Sequence, residues 1–230
     1  MKTFLFIAVS VAIFCGSLPM SPPQASTSGS LDAVLRKMDA AAASFHSTQA
    51  DFEWDQYQKV VDETDVQKGT IYFRRSGQQI EMMAHVKDPD QKFVLYKDGK
   101  LQVYQPKIEQ LIVHDAGNNR GEMESYLVLG FGGSGQDLTK AFEVTYGGDE
   151  TVDGIATGKL QLVPRAEKVR NTFTQIILWI DMARGISVQQ KFITPQGDFR
   201  LAKYSSIRTD KLGNDIFQIK TTGKTQTITH

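Results

Sequence analysis

The sequence predicts a mainly β (α+β) domain in which an antiparallel sheet curls into an unclosed β-barrel. Many short segments of alternating apolar and polar residues follow one another with tight turns between them, which is typical of antiparallel sheets. Two helical segments interrupt this pattern, a long one near the N-terminus and a short, very apolar one in the centre. We expect the short helix to be a lid over an apolar cavity inside the curled sheet.

Length and charge limit the possible classes. The 230 residues suit one domain with a leader. A short apolar run after Lys2 is typical of a secretory signal peptide, so we expect residues 1–25 to be removed and residues 26–230 to form the domain. Lys+Arg and Asp+Glu both number 26, and this balance does not indicate a nucleic-acid partner or an anionic membrane surface.

The one cysteine, Cys15, lies in or just after the apolar run and leaves two processing routes open. Lipidation of such a cysteine requires small residues immediately upstream, and here Ile13 and Phe14 are bulky. We therefore favour cleavage near Ala25, which gives a mature chain without cysteine or disulfides.

The first element of the domain is an amphipathic helix that starts after Ser30, a residue type that caps helix N-termini. Its apolar residues recur at helical spacing, at Leu31, Val34, Leu35, Met38, Ala42 and Phe45.

Alternation with a period of two begins at Ala50. Phe52 and Trp54 face one way, and the acidic residues face the other way: Asp51, Glu53 and Asp55. Three acids resemble a metal or acid/base cluster, but their position on one side of a strand favours a solvated outer face.

The segment 69–76 is the strand on which the functional hypothesis depends. Ile71, Phe73 and Arg75 share one face of it, so an apolar face ends in a guanidinium. Arg75 either extends its charge to water or holds a covering element or polar ligand group over an apolar hollow.

Similar alternation and turn residues predict the remaining strands and a turn at 147–149. The predicted strands are 79–84, 92–96, 101–104, 111–114, 142–146, 159–163, 172–180, 186–192, 199–204 and 215–219.

Residues 122–129 predict the short lid helix, and the loop 130–135 supplies a glycine hinge. The loop spells G-x-G-x-x-G, but the preceding strand and parallel fold that a dinucleotide site requires are missing. Ser134 does not stand in a nucleophile elbow, and the four histidines fit no metal-ligand spacing. The sequence therefore indicates no catalytic residue, metal site or cofactor, and we expect a protein that is not an enzyme.

Five segments in order resemble the LolA family, the periplasmic carriers of outer-membrane lipoproteins: 43–49, 69–75, 98–110, 125–131 and 162–164. The resemblance implies an unclosed antiparallel barrel with lid helices over an apolar cavity for acyl chains. It also implies that an arginine at the end of the glycine-opened strand bonds to the lid when no cargo is bound. Arg75 matches that position, although Ser76 stands where the family usually has proline, and Arg74 is the alternative.

For this chain the resemblance implies a periplasmic monomer that receives acylated lipoproteins or lipids from an inner-membrane donor complex and delivers them to an outer-membrane acceptor. Related folds leave two alternatives, a sensor domain that binds proteins and a lipidated acceptor. Residues 221–230 show no counterpart of the family's C-terminal element. Each apolar candidate for the acyl cavity is by default a core residue: Leu35, Phe52, Trp54, Ile71, Phe73, Ile80, Met82, Leu127, Leu129 and Phe131.

Overall fold

The computed structural model describes residues 30–77, 79–117, 129–209 and 211–230. The expected signal peptide, Cys15 and residues 122–128 of the predicted lid helix lie outside these ranges. The described residues form three helices, α1 (Leu31–Ala43), α2 (Gly135–Ala141) and α3 (Glu167–Arg170). They also form β1 (Ser47–Gln58), β2 (Glu63–Ser76), β3 (Gln79–Asp88), β4 (Lys92–Lys97), β5 (Lys100–Gln105), β6 (Gln110–Asp115), β7 (Phe142–Val152), β8 (Ile155–Pro164), β9 (Gln175–Asp181), β10 (Ser187–Ile193), β11 (Phe199–Arg208) and β12 (Gln226–Thr229).

All twelve described strands belong to one sheet with the order β12-β6-β5-β4-β3-β2-β1-β11-β10-β9-β8-β7. Apart from β6 with β7 and β11 with β12, strands that are consecutive in the chain pair antiparallel, and β1 pairs with β11, which joins the two halves of the chain in the middle of the sheet. The architecture is an unclosed β-barrel with few helices, as predicted.

Helix α1 begins where the sequence predicts. The Ser30 hydroxyl accepts a hydrogen bond from the Ala33 amide at 3.2 Å and so caps the first turn. The stripe of Val34, Met38 and Ala42 is buried. The helix therefore packs by the face that the helical spacing selects.

Residue 69 is not the start of its strand, because β2 begins at Glu63. A Cβ at Gly69 would lie 2.0 Å from the His85 carbonyl oxygen and 2.9 Å from Cζ of Phe52. The glycine is needed for the close approach of β3 and the Phe52 ring, and a bulge between Lys68 and Gly69 accommodates it.

The predicted turn at 147–149 is wrong, because β7 runs on to Val152. The register with β8 shifts between Tyr146 and Asp149, so the two glycines form a bulge inside the strand. Gly148 has φ of +96°, a conformation that glycine adopts without strain.

The predicted strand at 215–219 is also wrong. Residues Asn214–Phe217 form a 3₁₀ turn that covers the outer face of the sheet. Phe217 is 1% exposed and packs with Met83 and Leu95, whose side chains point outward from β3 and β4. Burial of these outward apolar side chains, rather than strand pairing, fixes the segment.

The last residues, which matched no expected element, contain β12, and β12 pairs with β6 in parallel. His230 donates its amide to the Val113 carbonyl at 2.9 Å, and its ring stacks on His114 with centroids 5.0 Å apart. The C-terminus therefore extends the sheet beyond β6.

Two apolar clusters fill the inner face. The first cluster lies under α1 and α2 and includes Val34, Leu160 and Leu178, each with 0% exposure. The second cluster lies on β1, β2 and β3 and includes Phe73 and Phe131. The two clusters divide the inner face into a half packed by helices and a half covered by a loop.

The acidic row lies on the outer face of β1, as predicted, and two of its members are paired with lysines, which the sequence did not predict. Glu53 contacts Lys68 at 2.8 Å and Lys203 at 2.9 Å, and Lys203 also contacts Asp55 at 2.9 Å. Hydrogen bonds from Lys68 and then Lys203 lower the pKa of Glu53 from its ordinary 4.5 to about 2.

This pairing predicts a dependence of stability on pH. A carboxyl whose pKa is lower in the folded state stabilises the protein above its unfolded pKa, and this contribution is lost as the pH falls toward the folded pKa. We expect the free energy of unfolding to decrease between about pH 4.5 and pH 2, and to decrease less in Glu53→Gln, as measured by urea titration. Glu143→Gln, an exposed carboxyl on β7, is the control and should match the wild type. Equal acid sensitivity of both variants would refute the assignment.

Candidate functional site

The second cluster gathers most of the predicted acyl-binding residues on one apolar wall. Trp54 packs against its edge, and the predicted residues among its buried members are Phe52, Ile71, Phe73, Ile80, Met82 and Phe131. Leu35 and Leu129 lie instead in the first cluster, and Leu127 lies outside the described residues. The wall continues onto half-buried inner positions of β4 and β5, Val94 and Leu101.

A loop crosses this wall and inserts one aromatic ring into it. Phe131 is 0% exposed, stacks on Phe73 with centroids 5.1 Å apart and meets Tyr204 edge to face at 4.8 Å. Gly130 and Gly132 flank it with φ of +78° and +84°, the left-handed region that glycine adopts readily. The glycine loop, which the sequence analysis interprets as a hinge, thus places the Phe131 ring inside the apolar wall.

Arg75 lies at the end of the wall and joins three elements. Its Nη2 donates to the Gly132 carbonyl at 2.9 Å, and its Nη1 donates to the Ala42 carbonyl at 3.4 Å, at the end of α1. Its amide donates to the His46 carbonyl at 2.8 Å, and its guanidinium lies 5.7 Å from the centre of the Phe45 ring. The carbonyl end of a helix carries partial negative charge, which favours a cation at this position.

Arg74 points to the opposite face of the sheet. It forms a salt bridge with Glu81, donates to the Asn214 side chain at 2.6 Å and lies 4.2 Å above the Phe217 ring. Arg74 therefore holds the outer 3₁₀ turn, and only Arg75 reaches the loop and α1.

The other side of the loop is fixed by residues that the sequence reading missed. Ser187 donates its amide to the Gly130 carbonyl at 2.9 Å, and the Gln190 amide group donates to the Leu129 carbonyl. The Tyr204 hydroxyl donates to Gln190 Oε1 at 3.2 Å. The alternation of side chains along β10 and β11 would have placed Gln190 and Tyr204 on the inner face, but neither strand contains a sequence motif that points to a functional site.

Helix α2 follows the loop and is not predicted by the sequence analysis, whose loop 130–135 includes only its first residue, Gly135. Ser134 accepts the Asp137 amide at 3.0 Å and caps the helix, and Leu138 is buried in the first cluster. The serine followed three residues later by an acid is the signal that would have predicted it. The loop that is predicted to be a hinge is therefore short and runs from Leu129 to Ser134.

A groove of about 1000 Å³ lies beside Arg75, between the start of β1 and the end of β11. The described residues that line it include no Asp or Glu, and its basic residues are Arg74, Arg75, Arg184, Arg208 and Lys211. Two of these are paired outside the groove, Arg74 with Glu81 and Arg184 with Asp181. The groove is basic and continuous with the Arg75 end of the wall.

Within the described ranges, three or more His, Cys, Asp or Glu side chains do not come together in a way that could hold a metal ion. In the same ranges the helices are too short or too polar to cross a bilayer.

No family model and no curated protein matches the sequence. Among solved structures, MucB matches with 16% identity and a TM-score of 0.52 over 84% of this chain. The chain spans 64% of the length of MucB. An uncharacterized conserved protein from Thermus thermophilus matches with 11% identity and a TM-score of 0.56, over 86% of this chain and 98% of that one.

A LolA superfamily protein from Nitrosomonas europaea also matches, with 14% identity and a TM-score of 0.41, over 83% of this chain and 98% of that one. The unclosed antiparallel barrel that the sequence predicts is present, and MucB and the Thermus thermophilus protein share this fold over most of the chain. At such low identity the likeness extends to the fold alone, so function has to be argued from the residues of this chain.

Proposed function

We propose that this chain is a periplasmic carrier that binds the acyl chains of lipoproteins or related lipids on the second cluster and ferries them to the outer membrane. The observation that carries the proposal is the position of Arg75, which ties Ala42 and Gly132 together at the end of an apolar wall. An arginine that only covered the end of a core would not need to hold two separate covering elements.

The energetics support a carrier in which Arg75 holds the covering elements closed when no cargo is bound. Each acyl CH₂ removed from water contributes about 0.8 kcal/mol, so a multiply acylated molecule needs a shielded path between membranes. A carrier must also release its cargo, which requires closed and open states that differ by only a few kcal/mol. Charged hydrogen bonds contribute about 1.5–3 kcal/mol each, so the two bonds of Arg75 are large enough to bias these states.

The proposed cycle follows from these contacts. In the closed state Phe131 fills the wall beside Phe73, and Arg75 holds the loop. Acyl chains displace Phe131, and the loop swings about Gly130 and Gly132. Delivery to an acceptor restores the Arg75 contacts. In this proposal residues 1–25 direct export, residues 26–230 act as a monomer, and membrane complexes donate and accept the cargo.

Native mass spectrometry of the mature protein purified from its own periplasm tests the proposal. We expect co-purified lipid or acylated peptide in the wild type and its loss in Phe73→Asp, because a charged side chain in the apolar wall makes the burial of acyl chains there unfavourable. Phe199→Asp is the matched control, since Phe199 lies on the outer face, where it stacks on Tyr57. Equal loss in both variants, or lipid retained in Phe73→Asp, would contradict the acyl site.

The basic groove favours a second candidate, a sensor domain that binds an acidic protein segment. The same samples distinguish the two functions. A clean apo mass, together with no uptake of an acylated peptide but salt-sensitive binding of an acidic one, would replace the carrier by the sensor. A lipid mass on Cys15 would instead identify a membrane-anchored acceptor.

A further inference from the structure

Arg200 lies on the inner face of the sheet, at the end opposite to Arg75. It is paired with Gln56 of β1 and Phe192 of β10, whereas the Arg75 amide bonds to His46. His46 and Gln56, the residues opposite Arg75 and Arg200, are ten residues apart along the chain, which is about 33 Å at the usual rise per strand residue. The apolar wall therefore has an arginine at each end.

The surroundings of Arg200 are aromatic. Its guanidinium lies 5.3 Å from the centre of the Trp54 ring and 5.0 Å from that of Phe192. The side chain remains accessible to solvent, yet the protein around it displaces enough water to lower the pKa of Arg200.

No carboxylate among the described residues pairs with Arg200. The inner positions of β1 and β10, the two strands beside it, carry no Asp or Glu, and Asp65, which is paired with Gln56, lies one strand further away on β2. The Gln58 side chain donates to that carboxylate at 3.2 Å. Arg74 and Arg184 are in contrast paired with acids, and Arg75 with carbonyls. The charge of Arg200 is thus uncompensated at the end of an apolar wall.

A second unused donor lies beside it. Within the described residues, the Trp54 Nε1–H is buried and has no acceptor in hydrogen-bond geometry. The Tyr204 hydroxyl donates to Gln190 at 3.2 Å, and burial raises the pKa of Tyr204 to about 12, while Arg200 and the neighbouring Trp54 Nε1–H oppose this rise. The Trp54 Nε1–H therefore has a nearby oxygen but no hydrogen bond of good geometry. Leaving a buried donor unpaired is costly, which makes an acceptor from a ligand favourable here.

We propose that Arg200 and the Trp54 Nε1–H form a headgroup site for the carboxylate or phosphate of an anionic amphiphile whose acyl chain lies along the second cluster. A guanidinium presents a planar fork of donors that matches both oxyanions. Trp54 stacks on Phe52 at 4.0 Å, so the headgroup site continues directly into the apolar wall. This inference rests on the proposed acyl-binding function and adds the charge of the ligand.

Three ligands with one palmitoyl chain test it by calorimetric titration of delipidated protein: palmitate, palmitoyl lysophosphatidate and neutral monopalmitoylglycerol. We expect the wild type to bind at least one anion about 10- to 100-fold more tightly than the neutral ligand. The tighter of the two anions distinguishes a carboxylate from a phosphate headgroup. Arg200→Gln should abolish the preference and leave binding of the neutral ligand unchanged.

Two further variants keep the test decisive. Trp54→Phe keeps an aromatic side chain but replaces the indole by a smaller ring without an Nε1–H, so it should weaken the anion several-fold more than the neutral ligand even if Arg200→Gln folds poorly. Lys191→Gln is the matched control, because Lys191 lies 3.8 Å from the Phe199 ring on the outer face and should not affect binding.

The outcomes separate the two proposals. Equal affinity for all three ligands in the wild type, or an anion preference that survives Arg200→Gln, would overturn the headgroup site and leave the carrier intact. Failure of the wild type to bind any of the three would overturn both.

Discussion

Replacing Arg75 by leucine is expected to produce a protein that still takes up acylated ligand but releases it slowly. The substitution removes the bonds to Gly132 at 2.9 Å and Ala42 at 3.4 Å, which exist only while the loop and α1 cover the wall. Loss of the shorter bond alone, about 1.5–3 kcal/mol of the closed state, shifts the equilibrium toward the loaded state by about 10- to 100-fold. The measurement is the rate of transfer of a fluorescent acylated peptide from the protein to acceptor vesicles.

The neighbouring arginine provides the control for this prediction. Arg74→Leu leaves Glu81, whose side chain is 7% exposed, with Lys97 at 3.5 Å as its remaining ionic partner. Breaking a buried pair costs about 3–5 kcal/mol, and the remaining lysine reduces that figure. We therefore expect Arg74→Leu to lower stability and to leave the transfer rate unchanged. Normal transfer in Arg75→Leu, or slow transfer in both variants, would refute the role of Arg75.

The inward orientation of Arg75 was predictable because strand parity is a local property. Ile71, Phe73 and Arg75 share a face whatever the strand pairs with, and Phe73 is 4% exposed in the structure. What Arg75 contacts was not predictable from the residues alone. Ala42 and Gly132 are 33 and 57 residues away, and every residue has a backbone carbonyl oxygen, so the sequence does not indicate which of them Arg75 bonds to.

The errors have a common physical origin. Residues 215–219 alternate like a strand, but Phe217 is buried against Met83 and Leu95, a contact across the sheet that overrides local pattern. Arg200 was missed for a related reason. Its immediate neighbours, Phe199 and Leu201, are apolar and favour the opposite face of the strand as the inner one, whereas the pairing with Gln56 and Phe192 shows that Arg200 faces the wall.

Replacing Phe131 by alanine is expected to lower stability and at the same time to improve acyl binding. Phe131 is 0% exposed, and truncation of such a ring costs about 3–5 kcal/mol. The space beside Phe73 is apolar, and an apolar cavity of this kind stays dry and accepts apolar ligands. Since a ligand that binds only the folded state stabilises it, a saturating acylated peptide should raise the melting temperature of the variant more than that of the wild type.

Phe142→Ala separates this effect from simple loss of core packing. Phe142 is 2% exposed and belongs to the first cluster, which α1 and α2 cover. The same truncation there should cost a similar free energy of unfolding, but the acylated peptide should raise its melting temperature no more than that of the wild type. If the peptide raises the melting temperatures of both variants equally, the wall is not a specific site. If it raises neither more than that of the wild type, Phe131 is a structural core residue and does not occupy the place of the cargo.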